Sequence, residues 1–412
     1  MKSTARIESI EIKNYRLFKH LELTDLQPLT VVIGVNGSGK STLFDIFSFL
    51  KDSLIGNVAS AVARRGGFHE LVSRGVSEPI AITIKFREEG GRLATYRLEV
   101  AEEKGKAFVH REVLSYRRGQ KGAPWHFVDF SQGQGTAITN ESVYGQAGAK
   151  EEREDYQLED PSVLAIKGLG QFRDFPVVAN FRNIIDHWYI SNFQIADARP
   201  SADAGYSEHL SSRGDNVAQV ARYLYEYHRK RFDRILEAMR SRVPGIKNVQ
   251  AHPTEDGRLV LKFEDSSFDN PFIARYVSDG TIKIFAYLVL MHEPETHPLL
   301  AIESLEHHIH PDLLPDLMEE IRLYARRGGQ VLVSTHSTDL IDQARLDEIR
   351  WLEKNEGFST AHRASDSELL RNLIEEGDCP GDLWRQGLLG HIAMHRLSKD
   401  GQKTIENHRA MP

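Results

Sequence analysis

Gly34-Val35-Asn36-Gly37-Ser38-Gly39-Lys40-Ser41-Thr42 matches the phosphate-binding pattern G-x-x-x-x-G-K-S/T over its whole length, and its flanks decide the fold around it. Before it, Leu29-Thr30-Val31-Val32-Ile33 is β-branched and apolar, as a buried strand should be. After it, Leu43, Phe44, Ile46, Phe47, Phe49 and Leu50 make a helix that is apolar nearly all round. In a strand–loop–helix unit of this kind, Gly34, Asn36, Gly37, Ser38 and Gly39 let backbone N–H groups curl around a triphosphate at the positive end of a helix. Lys40 then neutralises the β and γ oxygens, the Ser41 hydroxyl reaches Mg²⁺, and Thr42 continues the first turn. A glycine-rich turn with an accidental lysine is the competing reading, and the matching flanks disfavour it. The stretch implies a bound nucleoside triphosphate.

The chain has 412 residues, 40% of them hydrophobic and 27% charged, so by length it holds two or three domains of ordinary globular composition. A net charge of −7 argues against a generally basic nucleic-acid coat and leaves any DNA contact to a local patch. A single cysteine, Cys379, excludes an internal disulfide and suits a reducing compartment. Met1-Lys2-Ser3-Thr4-Ala5-Arg6 leads into a mixed strand instead of an apolar signal core. No apolar run approaches the ~20 residues of a membrane span. The expectation is a cytoplasmic protein without membrane contact.

Upstream of the phosphate loop, residues 7–13 alternate apolar and polar like a half-exposed strand, as do Leu21-Glu22-Leu23. Downstream, strand-like runs at 80–86, 94–100 and 108–116 predict an antiparallel meander. Residues 131–160, rich in Ser, Gly, Gln, Asn and Glu, read as a mobile surface loop. Val217, Val220, Ala221 and Leu224, then Phe232, Ile235, Leu236 and Met239, fall at helical spacing and predict two amphipathic helices. Their polar side carries Arg222, Arg229, Lys230, Arg231, Arg234, Arg240 and Arg242, either a solvated face or a phosphate-binding one.

From Val277 the pattern becomes alternating α/β, which implies a parallel sheet. A helix opens at Ser278-Asp279-Gly280-Thr281, where a hydroxyl and free N–H groups make an anion site. The buried strand Leu299–Ile302 ends on Glu303, in the form of a Walker B carboxylate that holds Mg²⁺ through water; alone, a buried strand ending in an acid is commonplace. A helix begins at Pro311, and the strand Gln330–Ser334 leads through Thr335 to His336, placed to sense the γ-phosphate or orient water, unless it is structural. No repeat of fixed period is present, and the chain beyond Gly390 is polar.

This ordered set resembles the ATP-binding cassette ATPases of the SMC/RecF type, and within them the compact bacterial "AAA family ATPase" group related to the ATPase half of overcoming-lysogenization-defect proteins. Ile10-Glu11-Ile12-Lys13-Asn14-Tyr15-Arg16-Leu17-Phe18 is similar to that group's first strand, and Asp382-Leu383-Trp384 with Gly387-Leu388-Leu389-Gly390 to its C-terminal motif. The resemblance implies an α/β fold, an ABC-type P-loop NTPase head with a mixed central sheet, flanking helices and an antiparallel β meander. Residues 1–195 would form lobe I, 196–250 a short helical insert in place of arms, 251–395 lobe II, and 396–412 a polar tail. It also implies a homodimer in which two chains sandwich two ATP molecules, with Ser278, Asp279 and Gly280 of one subunit facing the γ-phosphate held by Lys40 of the other. By the same carry-over His336 is the switch histidine and Glu303 the Mg²⁺ carboxylate. Glu306 and His310 belong to the segment crossing the dimer interface, and Gln194 is the glutamine linking Mg²⁺ to the lobes.

Two departures matter. Where that family has a glutamate general base after the acid, this chain reads Glu303-Ser304-Leu305, and a serine hydroxyl cannot accept a proton near neutral pH. Glu306 and His336 are the substitutes available on paper. The other departure is the absence of long coiled-coil arms. The expected function is an ATP-gated dimerising ATPase with slow hydrolysis, the sensor or motor of an anti-phage or DNA-maintenance system. It carries no nuclease motif, so a separate effector such as a nuclease is expected, and DNA would be met through the 222–242 face. A non-hydrolysing ATP-dependent scaffold is the alternative. A transporter ATPase is disfavoured by Ser278-Asp279-Gly280-Thr281 and Asn14-Tyr15-Arg16.

Overall fold

Alternation in the N-terminal segment becomes the strand Arg6–Tyr15, which lies between Phe18–Leu23 and Ile80–Arg87 in an antiparallel sheet. The computed structural model describes residues 5–87, 91–117, 124–144, 146 and 148–390; the start of the chain before Ala5 and the tail expected over 396–412 lie outside the described residues. The apolar positions of the first strand are not strictly two apart, since Ile7 is followed by Ile10. A bulge resolves this: Ile7 pairs with Phe86 and Ser9 with Lys85, so Glu8 is the extra residue and both isoleucines turn inward.

The chain divides into two units, one running to Trp188 and resuming at Ala344, the other spanning Tyr189–Gln343. In the first, eight antiparallel strands follow the order Phe18–Leu23, Arg6–Tyr15, Ile80–Arg87, Leu93–Glu103, Lys106–Tyr116, Trp125–Ser131, Gln134–Ile138 and Arg153–Gln157. The last two correct the expectation of a surface loop over 131–160. Gly135 stands opposite Phe130, where a Cβ would come 2.2 Å from the Asp129 carbonyl oxygen, so a residue that reads as a loop former is what this pairing requires. Arg153–Gln157 is an exposed charged edge strand with no apolar pattern to announce it.

The same unit holds the strand Leu29–Gly34, buried throughout, parallel to Ile349–Asn355, which in turn pairs antiparallel with Phe358–Arg363. The helix Lys40–Ile55 is apolar nearly all round because both its sides are covered. Phe47 meets Trp188 edge-on at 5.6 Å, and Phe49 meets Tyr15 at 5.9 Å. Trp188 also stacks on Phe86 at 6.3 Å, and Phe86 in turn meets Phe181 of the helix Pro176–Asp186 at 5.2 Å, which closes the core. Burying aromatics of this size contributes about 1.5–3 kcal/mol each.

In the second unit three short parallel strands lie in the order Tyr189–Ser191, Leu299–Ile302, Gln330–Ser334. Helices Asp279–Met291 and Leu314–Arg326 connect the chain on either side of Leu299–Ile302, as parallel strands demand. A separate antiparallel group is formed by Ala202–Asp203, Arg258–Asp265, Ile246–Pro253 and Phe272–Ile273. Helices Val217–Tyr227 and Arg229–Arg242 bury the apolar residues of their periodic faces and break at His228. The longest helix among the described residues has 16 residues, so this part of the chain carries no coiled-coil arm. None of its helices is long and apolar enough to cross a membrane.

Candidate nucleotide site

The phosphate loop connects the strand Leu29–Gly34 to the helix Lys40–Ile55. Gly37 and Gly39 adopt φ of 78° and 102°, the left-handed region that turns successive N–H groups inward. A Cβ on Gly34 would fall 2.4 Å from the Ser38 hydroxyl, and one on Gly39 would fall 2.9 Å from the Phe18 ring. No side chain caps the helix, and no acidic residue lies in its first turn, which leaves the positive end to a ligand. Lys40 Nζ folds back onto the carbonyl oxygens of Gly34 at 2.7 Å and Val35 at 3.1 Å, so a bound phosphate would exchange neutral acceptors for charged ones. The Ser38 hydroxyl is buried without a partner. Together these features fit a polyphosphate.

Tyr15 and Arg16 hold this helix from outside. The Tyr15 hydroxyl and Arg16 guanidinium reach Asp45 Oδ2 at 2.7 and 2.8 Å, while Arg65 Nε reaches Oδ1 at 2.7 Å. Burial and the Asp45 charge push the Tyr15 phenol far above its ordinary range, so it stays a donor.

The later residues singled out in the sequence lie in the second unit. Glu303 is exposed immediately after the buried strand Leu299–Ile302, and His336 is exposed two residues after Gln330–Ser334. Ser304 takes a left-handed φ of 50°, with its N–H on Ser334 Oγ at 3.1 Å. The turn brings Glu306 back so that its Oε1 accepts the His336 backbone N–H at 2.9 Å, while Oε2 is buried without a partner. Ser278 caps the helix Asp279–Met291 by accepting from Thr281 N at 3.2 Å. Gly280 packs so tightly against the same turn that a Cβ would lie 2.6 Å from His308 O.

A family profile described as "AAA domain, putative AbiEii toxin, Type IV TA system" matches residues 29–342, from the strand before the phosphate loop to beyond His336. The chain belongs to this AAA domain family. No curated protein matches it. Among solved structures it is similar to an SMC head bound to the C-terminal winged-helix domain of ScpA, with 14% identity over 87% of this chain and 97% of that one and a TM-score of 0.53, which shows a shared fold. An SMC head domain from Thermotoga maritima has 13% identity over 87% of this chain and 98% of that one, with a TM-score of 0.44. An SMC head domain with an extended coiled coil, bound to the C-terminal domain of ScpA from Pyrococcus furiosus, has 12% identity over 91% and 100%, with a TM-score of 0.49. The protein is thus an ATP-binding AAA-type P-loop ATPase with an SMC-head-like fold.

In this AAA domain Ser41, exposed in the first helical turn, and Glu303, exposed at its strand end, are hard oxygen donors of the kind Mg²⁺ takes. Gln194 precedes the short helix Ile195–Ala198 and is exposed, its amide bonded to Asn192 at 3.2 Å. The strand before it is Tyr189–Ser191. His310 is exposed and caps the turn Pro311–Leu313. The cations of 222–242 are largely engaged within the chain: Arg222 with Glu226, Arg229 with Asp233, Arg242 with Glu320, and Arg231 and Arg240 with carbonyl oxygens.

Two supporting residues have no sequence signal of their own. Lys283, one helical turn beyond Ser278-Asp279-Gly280-Thr281, the signature turn of the expected ABC-type head, donates to His307 O at 2.7 Å and approaches Ser304 O at 3.4 Å. Burial lowers its pKa to about 8, against the pull of Glu306. Arg199 ties the segment before Ser278 to the start of its helix, donating to the carbonyl oxygens of Ala274 and Arg275 and to the Asp279 carboxylate. A lysine on an apolar helix and an arginine in a polar loop reveal these roles only once tertiary contacts exist.

Proposed function

We propose that this AAA domain is an ATP-gated dimerising ATPase in which Ser278, Asp279 and Gly280 of one copy close over the ATP held by Lys40 of the other, with Mg²⁺ carried by Ser41, Glu303 and Gln194. The observation that carries this reading is the exposure of the signature turn: Ser278 is exposed, and Phe268, Phe272 and Tyr276 just before it are 61%, 37% and 73% exposed. Aromatics left in water beside an anion-binding helix end suit a face that a second copy covers. Hydrolysis is slow, because Ser304 occupies the place of the general base and the Glu306 carboxylate is engaged by the His336 backbone N–H.

The proposed role is that of sensor or motor for a separate effector, such as a nuclease, in anti-phage defence or DNA maintenance. The toxin–antitoxin wording of the family description and the ScpA partner of the similar SMC head support a second protein. An open groove of about 1000 Å³ supports contact with DNA phosphates; Lys230, Arg231, Arg234, Arg242, Arg326 and Arg327 line it.

Complementation tests the shared site. Lys40→Ala and Ser278→Arg are each expected to hydrolyse no ATP alone, and their mixture to recover turnover by forming one intact site per mixed dimer. Absence of recovery, with both variants folded, contradicts a site completed in trans.

A further inference from the structure

Beyond the far end of the signature helix, three ligand-type atoms converge. His209 Nδ1 lies 2.7 Å from Glu293 Oε2, and His297 Nε2 lies 3.2 Å from the same oxygen. All three atoms are within 4.8 Å of one another. They come from two separate parts of the chain: His209 from the connection after Ala202–Asp203, Glu293 and His297 from the segment that leads into Leu299–Ile302.

The surroundings hold these groups in place. Glu293 is wholly buried, and its second carboxylate oxygen accepts the Leu210 N–H at 2.7 Å, which fixes the plane of the carboxylate. Its backbone carbonyl accepts from Arg327 at 2.7 Å and Arg231 at 3.2 Å. The backbone N–H of His297 donates to the Tyr324 hydroxyl at 2.7 Å, and its ring packs against Tyr189 at 5.2 Å. Only His209, 41% exposed, opens the cluster to solvent.

Two imidazoles and one carboxylate form an N,N,O donor set, the set that zinc and its neighbours take with a water in the remaining position. An ion-paired triad, with Glu293 Oε2 accepting from both rings, is the alternative use of these groups. A metal ion instead uses the lone pairs of all three, with the carboxylate oriented by Leu210 as a ligating carboxylate is. We propose that His209, Glu293 and His297 bind a zinc-class divalent transition-metal ion, which ties the connection holding His209 to the segment entering the Leu299–Ile302 strand.

The test uses the full chain, free of any affinity tag and of nucleotide, stripped with a chelator and titrated with Zn²⁺ by calorimetry and with Co²⁺ by visible absorption. The expected result is one equivalent of Zn²⁺ per chain, low-coordinate Co²⁺ bands, and a melting temperature that rises with Zn²⁺. His209→Ala, at the half-exposed ligand, is expected to keep the circular dichroism of the wild type while losing stoichiometric binding, the Co²⁺ bands and the thermal shift; His297→Ala should repeat the loss if it folds. No stoichiometric binding by the wild type, or binding and spectra unchanged in His209→Ala, overturns the site and leaves the three residues as an ion-paired triad.

Discussion

The backbone N–H of His336 donates to Glu306 Oε1 at 2.9 Å, so the segment after the strand Gln330–Ser334 is held by the turn that follows the neighbouring strand Leu299–Ile302. The other oxygen of Glu306 is buried, and the Lys283 ammonium acts on the same carboxylate. In the proposed reading Glu306 positions His336 instead of activating an attacking water. Glu306→Gln keeps an acceptor for the N–H and should stay within a few-fold of wild type in single-turnover ATP hydrolysis, whereas Glu306→Ala should lose about 10-fold. Equal collapse in both variants would instead make the carboxylate the general base.

Ser304 presents a hydroxyl with no hydrogen-bond partner among the described residues, at the position where the SMC/RecF resemblance expects a base. Ser304→Glu should raise single-turnover hydrolysis by about 10²-fold, at the low end of what general-base catalysis supplies. A rate no higher than wild type would show that the serine is not what limits turnover.

Gly280 is required by close approach, since a Cβ would meet His308 O at 2.6 Å. Gly280→Ala should push the turn after Glu303 away from the signature helix at a cost of about 1–3 kcal/mol. Nucleotide affinity at Lys40 should be retained while nucleotide-driven association weakens. Wild-type association together with an unchanged melting temperature would count against this contact.

The phosphate loop, its strand and helix, the signature and the two later strands were legible because each has a local cause: positive-φ glycines, a buried β-branched run, a Ser cap, a short apolar strand. The strands within 131–160 were not, because Gly135 is selected by the strand facing it and Arg153–Gln157 lies exposed at an edge. The bulge at Glu8 explains an imperfect alternation that the sequence shows without accounting for it. Lys283 and Arg199 were invisible for a different reason, since most of their partners are backbone carbonyl oxygens that carry no residue identity, and the Asp279 carboxylate that Arg199 also meets is far away in sequence. The resemblance to SMC/RecF ATPases reached the fold, while the tie between Glu306 and His336 came only from the structure.

Glu112 offers a pH test within the meander. It is wholly buried, accepting from the Ala165 and Ile166 backbone N–H groups and from the Tyr96 hydroxyl, and burial pushes its carboxyl up to about 7 against those bonds. The folded state therefore keeps a proton that the unfolded chain releases near the ordinary carboxyl value, so this group's contribution to stability is full below about pH 4.5 and is lost as pH rises to about 7. Glu112→Gln should gain relative to wild type across that window by roughly 3 kcal/mol. Denaturant unfolding of both proteins at pH 5 and pH 8 measures the difference, and a gap independent of pH would contradict the assignment.

Nucleotide-driven association is the most direct measure of the proposed function. Light scattering on the full chain, with and without ATP and Mg²⁺, should show a monomer that becomes a dimer only with nucleotide, persists because hydrolysis is slow, and is absent in Lys40→Ala. A monomer under all conditions, with ATP binding verified, would contradict a site completed by Ser278 of a second copy.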